Sequence, residues 1–180
     1  MSEEAVGRRR VFSWAACASL VGFLWTRVAS ADSKGSGPDN GGAAFGEKVA
    51  GTYFLKVSHE GFPTALALVT LTRDGAFLSN DTSDQGALGL THDGAVHGTW
   101  KKIGPRRIKA RTLYFAFDDN GIPIWIARTT GEFQFDHQFD SGAGTLTVER
   151  FTLDQDPLDS QAIPHDQLKA TFTARRVTAD

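Results

Sequence analysis

Five histidines, His59, His92, His97, His137 and His165, are scattered along the chain. None forms a His-x-His or Glu-x-x-His pair that would bring two ligands to one ion, so no metal site is expected. The run Asp81-Thr82-Ser83-Asp84-Gln85-Gly86 begins like a calcium loop, with Asp, Ser and Gly at its first, third and sixth positions. Its twelfth position is His92, where a bidentate Glu belongs, and calcium is rejected on that ground. No Gly-x-Ser-x-Gly elbow or phosphate-binding glycine loop is present, and the single cysteine, Cys17, lies in an N-terminal apolar run. Covalent hydrolase chemistry therefore lacks its usual markers, and no cofactor is expected.

Acid–base work by polar groups inside a barrel is the chemistry that remains, with His97 and Tyr114 as its candidates. With Gly104-Pro105 as the tip of a two-residue turn, His97 stands opposite Thr112 on the inner face, near Tyr114. A one-residue bulge at the same turn instead sends His97 outward and Trp100 inward. Both registers stand at this point. Around the turn lie six cations, Lys101, Lys102, Arg106, Arg107, Lys109 and Arg111. They suit an anionic ligand head-group or acidic partner at the barrel mouth, or a solvated hairpin protected from edge pairing.

The elements that must position these groups are strands. β-rich runs cover 49–58, 64–73, 76–80, 95–103, 107–118, 122–136, 144–153 and 168–177, separated by turns such as Arg73-Asp74-Gly75 and Asp119-Asn120-Gly121. No helix-period segment of useful length intervenes, and about eight hairpin-linked strands predict an all-β, antiparallel up-and-down barrel. Asn120-Gly121 suits a two-residue type I′ turn, which would set Asp119 opposite Ile122. That register pairs Ala116 with Trp125, Tyr114 with Ala127, Thr112 with Thr129 and Ile108 with Phe133 on a face that alternates small and large, taken as the inside. Tyr53, Trp100, Thr112, Tyr114, Trp125 and Phe133 are the expected ligand contacts, with Ala110, Ala116, Ala127 and Gly131 leaving room among them. On the other face, Phe117 meets Ile124, Phe115 meets Ile126 and Lys109 meets Glu132. Leu113, Phe115, Phe117, Ile124 and Ile126 thus form an outer apolar patch, expected to be a homo-oligomer interface or to lie under the chain's own loop at 155–167.

The N-terminus has the order of a secretory leader: Arg8-Arg9-Arg10, an apolar run from Val11 to Trp25, and the small-x-small site Ala29-Ser30-Ala31. Arg9-Arg10-Val11-Phe12 resembles the twin-arginine export motif; the competing assignment is an ordinary Sec signal. The run is too short to span a bilayer, so no membrane anchor is expected after cleavage. The expected organisation is a signal peptide over 1–31, a Gly- and Ser-rich flexible linker over 32–48 and a barrel over 49–180, in the periplasm or outside the cell. The formal net charge of −2 argues against a nucleic-acid partner.

Gly51-Thr52-Tyr53 resembles the Gly-x-Trp that opens lipocalins, and Arg175-Arg176 resembles the arginine that covers that aromatic. His97-Gly98-Thr99-Trp100, Gly104-Pro105-Arg106 and Phe117-Asp118-Asp119-Asn120-Gly121 resemble runs in small exported bacterial calycin-like barrels, mostly of unassigned function. The resemblance implies the fold and export, and it carries no reaction. An eight-stranded barrel is just wide enough to hold one small ligand, so the expected function is binding of a small apolar molecule. The alternatives are a cofactor-independent cyclase or isomerase of the allene oxide cyclase type, and a structural or assembly protein of the cell envelope.

Overall fold

The computed structural model describes residues 40–82 and 92–179. The expected leader, the first part of the linker and most of the rejected calcium loop lie outside the described residues. The described residues begin with helix α1 (Asn40–Val49) and continue through β1 (Gly51–Ser58), β2 (Ala65–Leu71), β3 (Ala76–Asp81), β4 (His92–Asp93), β5 (Val96–Gly104), β6 (Arg107–Phe117), β7 (Pro123–Phe135), β8 (Ser141–Phe151) and β9 (Asp166–Arg176). Around the barrel the order is β1, β2, β3, β5, β6, β7, β8, β9; β9 pairs with β1 and every pairing is antiparallel. This closed eight-stranded barrel is the predicted architecture. The two-residue β4 is an addition, lying along the end of β6.

The helix is a departure from the linker expected over 32–48. Its sequence, NGGAAFGEKV, contains three glycines, each costing about 1 kcal/mol against Ala in a helix interior. Phe45 and Val49, one helical turn apart, are 6% and 0% exposed. Burying two such side chains contributes roughly 3–6 kcal/mol, which offsets the glycines. Tertiary packing holds α1, and the packed unit begins before residue 49.

The β6–β7 hairpin keeps most of the predicted register through two deviations that cancel. Asp118 accepts from the N–H groups of Asn120 (2.9 Å) and Ile122 (2.8 Å) through Oδ1, and its carbonyl accepts from Gly121 N–H at 2.9 Å. Gly121 adopts φ +75°, and Asn120 is not at positive φ. The turn is therefore a type I turn closed by a left-handed glycine, not type I′, and Asp118 rather than Asp119 faces Ile122. A bulge then sets Phe117 opposite Pro123 instead of Ile124, and from Ala116–Trp125 onward the predicted pairs hold.

At the β5–β6 turn, proline decides between the two open registers. Its fixed φ suits the second position of a turn, which makes Pro105-Arg106 the tip and pairs Gly104 with Arg107. A bulge between Lys102 and Gly104 follows, and His97 pairs with Leu113 while Gly98 faces Thr112. His97 accordingly projects outward and is exposed, and Trp100 turns in.

Both resemblances at the barrel's closed end have a geometric counterpart. The Arg176 guanidinium lies 4.9 Å above the Tyr53 ring. It donates from Nε to Phe139 O (3.1 Å), from Nη1 to Ala50 O (2.7 Å), and from Nη2 to Lys48 O (2.5 Å) and the Tyr53 hydroxyl (2.6 Å). Gly51 makes this possible: at φ +149°, a Cβ there would stand 2.4 Å from Arg176 Nη1. Phe45 completes the base, with its ring centroid 6.2 Å from Trp100 and 5.7 Å from Phe139. One end of the barrel is thus sealed by α1 and the Arg176 clamp, leaving the other as the mouth.

Candidate functional site

Above the seal the barrel encloses a cavity of about 190 Å³. Small side chains leave this space: Ala67, Ala110, Ala116, Ala127, Gly131 and Ala170 all contribute to its wall. Alternation brings them inward, since Ala110 pairs with Gly131 and Ala116 with Trp125 on the inner face of β6–β7. Phe77, Phe133 and Phe172 form its aromatic part, with Phe133 and Phe172 centroids 4.4 Å apart. Thr112, Thr129 and Tyr114 add hydroxyls midway up the wall. Thr112 is 3% exposed.

Polar groups gather where the wall meets the mouth. His59, Asp81, Asp93 and Arg150 all line the cavity there. Arg150 Nη1 lies 3.4 Å from Asp166 Oδ2, so this cation already has a carboxylate beside it. His59 packs edge-on against Phe62 at 4.8 Å, and its Nδ1 is buried without a hydrogen-bond partner among the described residues. Such an orphaned atom costs about 1–3 kcal/mol unless something entering the site satisfies it.

The expected contacts divide by depth. Thr112, Tyr114 and Phe133 line the cavity. Tyr53 does not: it is fully buried in the base, its hydroxyl 2.9 Å from Val49 O and 3.2 Å from Phe139 O. Burial pushes its pKa up to about 12 against the opposing pull of Arg176, so the phenol is neutral. Trp100 also belongs to the base, where Nε1 donates to Thr72 O at 3.1 Å. Trp125 sits at the opposite end, stacked at 4.9 Å on His165 of the β8–β9 loop rather than against the cavity. His97, on the outer face, cannot act on anything inside, which leaves Tyr114 as the acid–base candidate that reaches the cavity.

The cationic turn is likewise at the wrong end to hold a head-group at the mouth. Lys102 Nζ lies 4.8 Å over the Phe45 ring of the base, and Arg107 (2.8 Å) and Lys109 (3.6 Å) share Glu132 as a partner. It is a solvated hairpin braced by one carboxylate.

On the outer face, Phe115 is 53% exposed, while Leu113, Phe117, Ile124 and Ile126 are half-buried. The segment after β4 packs Gly94 toward the Phe117 ring, and loop 152–165 lies over the end of β8. Phe151, paired with Ile126, is completely buried there. Arg128 fastens this cover: it donates to Glu149 at 2.8 Å and to Pro157 O, and its guanidinium lies 4.8 Å from the Phe151 ring. Reading the sequence missed Arg128 and the rim residues His59, Asp93 and Arg150. The period-2 pattern Leu146, Val148, Arg150 on β8 and Leu168, Ala170, Phe172 on β9 would have pointed to the inner face of those strands.

The closed antiparallel barrel with its aromatic–arginine seal fits a calycin-like fold. Among solved structures the chain is similar to one described as "Structure of EF1p2_mFAP2b bound to DFHBI", at 14% identity and a TM-score of 0.49, over 75% of this chain and 98% of that chain. No family model and no curated protein matches it.

Proposed function

We propose that the barrel binds one small, largely apolar molecule in its interior. The observation that carries this reading is the cavity of about 190 Å³. An apolar cavity of about 150 Å³ engineered into another protein admits benzene, so the space suits a compact ring or short branched chain. The apolar lining with few hydroxyls, and one polar end at the mouth, is the usual character of a small-molecule site.

Ethylbenzene, followed by native mass spectrometry and by NMR shifts of cavity methyls, should bind the full chain with one-to-one stoichiometry. Ala127→Phe puts a ring into the free space and should abolish binding while the fold survives. Overpacking costs a filled core about 1–3 kcal/mol and an empty one much less. If ethylbenzene does not bind and Ala127→Phe unfolds the protein, the interior is a packed core and the reading fails.

The same proposal places binding outside the cytoplasm, supported by Arg9-Arg10-Val11-Phe12 and Ala29-Ser30-Ala31. Replacing Arg9 and Arg10 by Lys should leave an unprocessed precursor in the cytoplasm; normal export of that variant would exclude the twin-arginine route.

A further inference from the structure

We propose that the occupant is an apolar organic cation, a compact hydrocarbon carrying one protonated amine, with its ammonium group at the mouth toward Asp81 and Asp93. The inference rests on the binding reading above and adds the charge of the ligand.

Charge is distributed unequally between the two ends. The mouth loops 59–64, 118–122 and 152–165 contain Glu60, Asp118, Asp119, Asp154, Asp156 and Asp159, with no Lys or Arg among them. The closed end is mixed by comparison, with Lys48, Arg73, Lys101, Lys102, Arg106, Arg107 and Arg175 standing beside Glu47, Asp74, Glu132, Asp136 and Asp140. A low-dielectric barrel whose entrance loops carry an excess of one sign of charge focuses its field there, raising the local concentration of the opposite ion.

Apolar side chains share this end. Ile122 (57% exposed), Leu158 (57%), Ile163 (79%) and Leu153 (47%) stand on the same loops as the carboxylates. Phe62, 40% exposed on loop 59–64, also lines the cavity. A rim both apolar and acidic matches a molecule that is apolar and cationic; it would repel an anion of the same shape.

The interior continues the pattern. Asp81, at the end of β3, pairs with inward-facing Ala67, and Asp93 pairs with inward-facing Ala116, which places both carboxylates at the top of the cavity. Arg150 stands on β8, four strands around the ring from β3, with Asp166 beside it. One further group marks the cavity as made for an occupant: His59 Nδ1, buried without a hydrogen-bond partner among the described residues. A hydrocarbon among Phe77, Phe133 and Phe172 leaves its ammonium N–H groups at the level of the rim acceptors.

The test compares three phenylalkyl probes on the unsubstituted full chain, the cation phenethylamine, the neutral ethylbenzene and the anion 3-phenylpropanoate, by isothermal titration at low and high salt. Phenethylamine should bind about tenfold more tightly than ethylbenzene, and 3-phenylpropanoate more weakly than either. The preference should shrink in salt, as screening of partly exposed charges requires. Asp81→Asn and Asp93→Asn, singly and together, should lower phenethylamine affinity by a larger factor than ethylbenzene affinity and so bring the two together. Binding of ethylbenzene with equal or tighter binding of 3-phenylpropanoate would overturn the charge assignment and leave the cavity reading standing. Binding of none of the three would overturn both. The wild-type comparison decides the matter even where an Asn variant fails to fold.

Discussion

Removing the guanidinium of Arg176 should cost more stability than any other single truncation outside the hydrophobic core. The side chain is 19% exposed and donates to three backbone carbonyls and one phenol, tying β9 to α1, β1 and the β7–β8 turn. Hydrogen bonds from a charged donor contribute about 1.5–3 kcal/mol each, but these four share one group and do not add. Breaking a largely buried charged cluster on one side costs about 3–5 kcal/mol, the range expected for Arg176→Ala. At about 2–4 °C per kcal/mol for a chain of this size, the melting temperature should fall by roughly 10 °C. Arg176→Lys keeps the charge but not the planar fork, and should lose about half as much. Gly51→Ala should approach the Ala variant by another route, because its Cβ would stand 2.4 Å from Nη1. Thermal denaturation followed by circular dichroism reads all three. Were Arg176→Ala to melt within about 2 °C of the unsubstituted protein, the base would be held by packing of Phe45 and Val49 alone and the clamp argument would be wrong.

Tyr53 makes the fold sensitive to alkali. Its folded-state pKa is raised to about 12 by burial, whereas an unfolded tyrosine titrates near 10. Between these values the unfolded chain has released a proton that the folded one retains. Stability is therefore complete below about pH 10 and falls as pH rises toward 12, by up to about 3 kcal/mol. Tyr53→Phe should flatten this decline in urea titrations across the alkaline range while losing about 1 kcal/mol at neutral pH; an unchanged alkaline slope would exclude Tyr53 as its source. Arg128→Ala should release loop 152–165 and uncover Phe151, leaving Glu149 without its partner. Faster amide exchange and proteolysis confined to 152–165 would show it, and wild-type exchange there would contradict the fastening role of Arg128.

Period-2 alternation was enough to read the barrel, because strands closed on one core must face inward at every second residue. The body of the β6–β7 hairpin was legible for the same reason: the small–large pairing of Tyr114 with Ala127 and Ile108 with Phe133 survives whatever the turn does. The turn itself was misread. An Asn-Gly pair favours type I′, but Asp118 one residue earlier accepts two backbone N–H groups and stabilises type I, and a bulge at Phe117 then restores the register. At Gly104-Pro105-Arg106 no second feature restored it, so His97 and Trp100 exchanged faces between the two registers.

Which end of the barrel is open was the larger question that the sequence left undecided. A strand pattern defines an inside and an outside but treats both ends alike; only a group that seals one end breaks the equivalence. Here that group is α1, whose glycines read as linker and whose two apolar anchors, Phe45 and Val49, become helical only by packing against Trp100, Tyr53 and Phe139. Once Asn40–Val49 is taken as a loose tether, nothing prevents the cations of Lys101–Arg111 from being assigned to the mouth. Placing the helix over that end reverses the electrostatics of the site. The entrance belongs to the loops of Glu60, Asp119 and Asp156, and the cations frame a sealed floor. The cationic occupant proposed above therefore depends on one short helix holding the closed end.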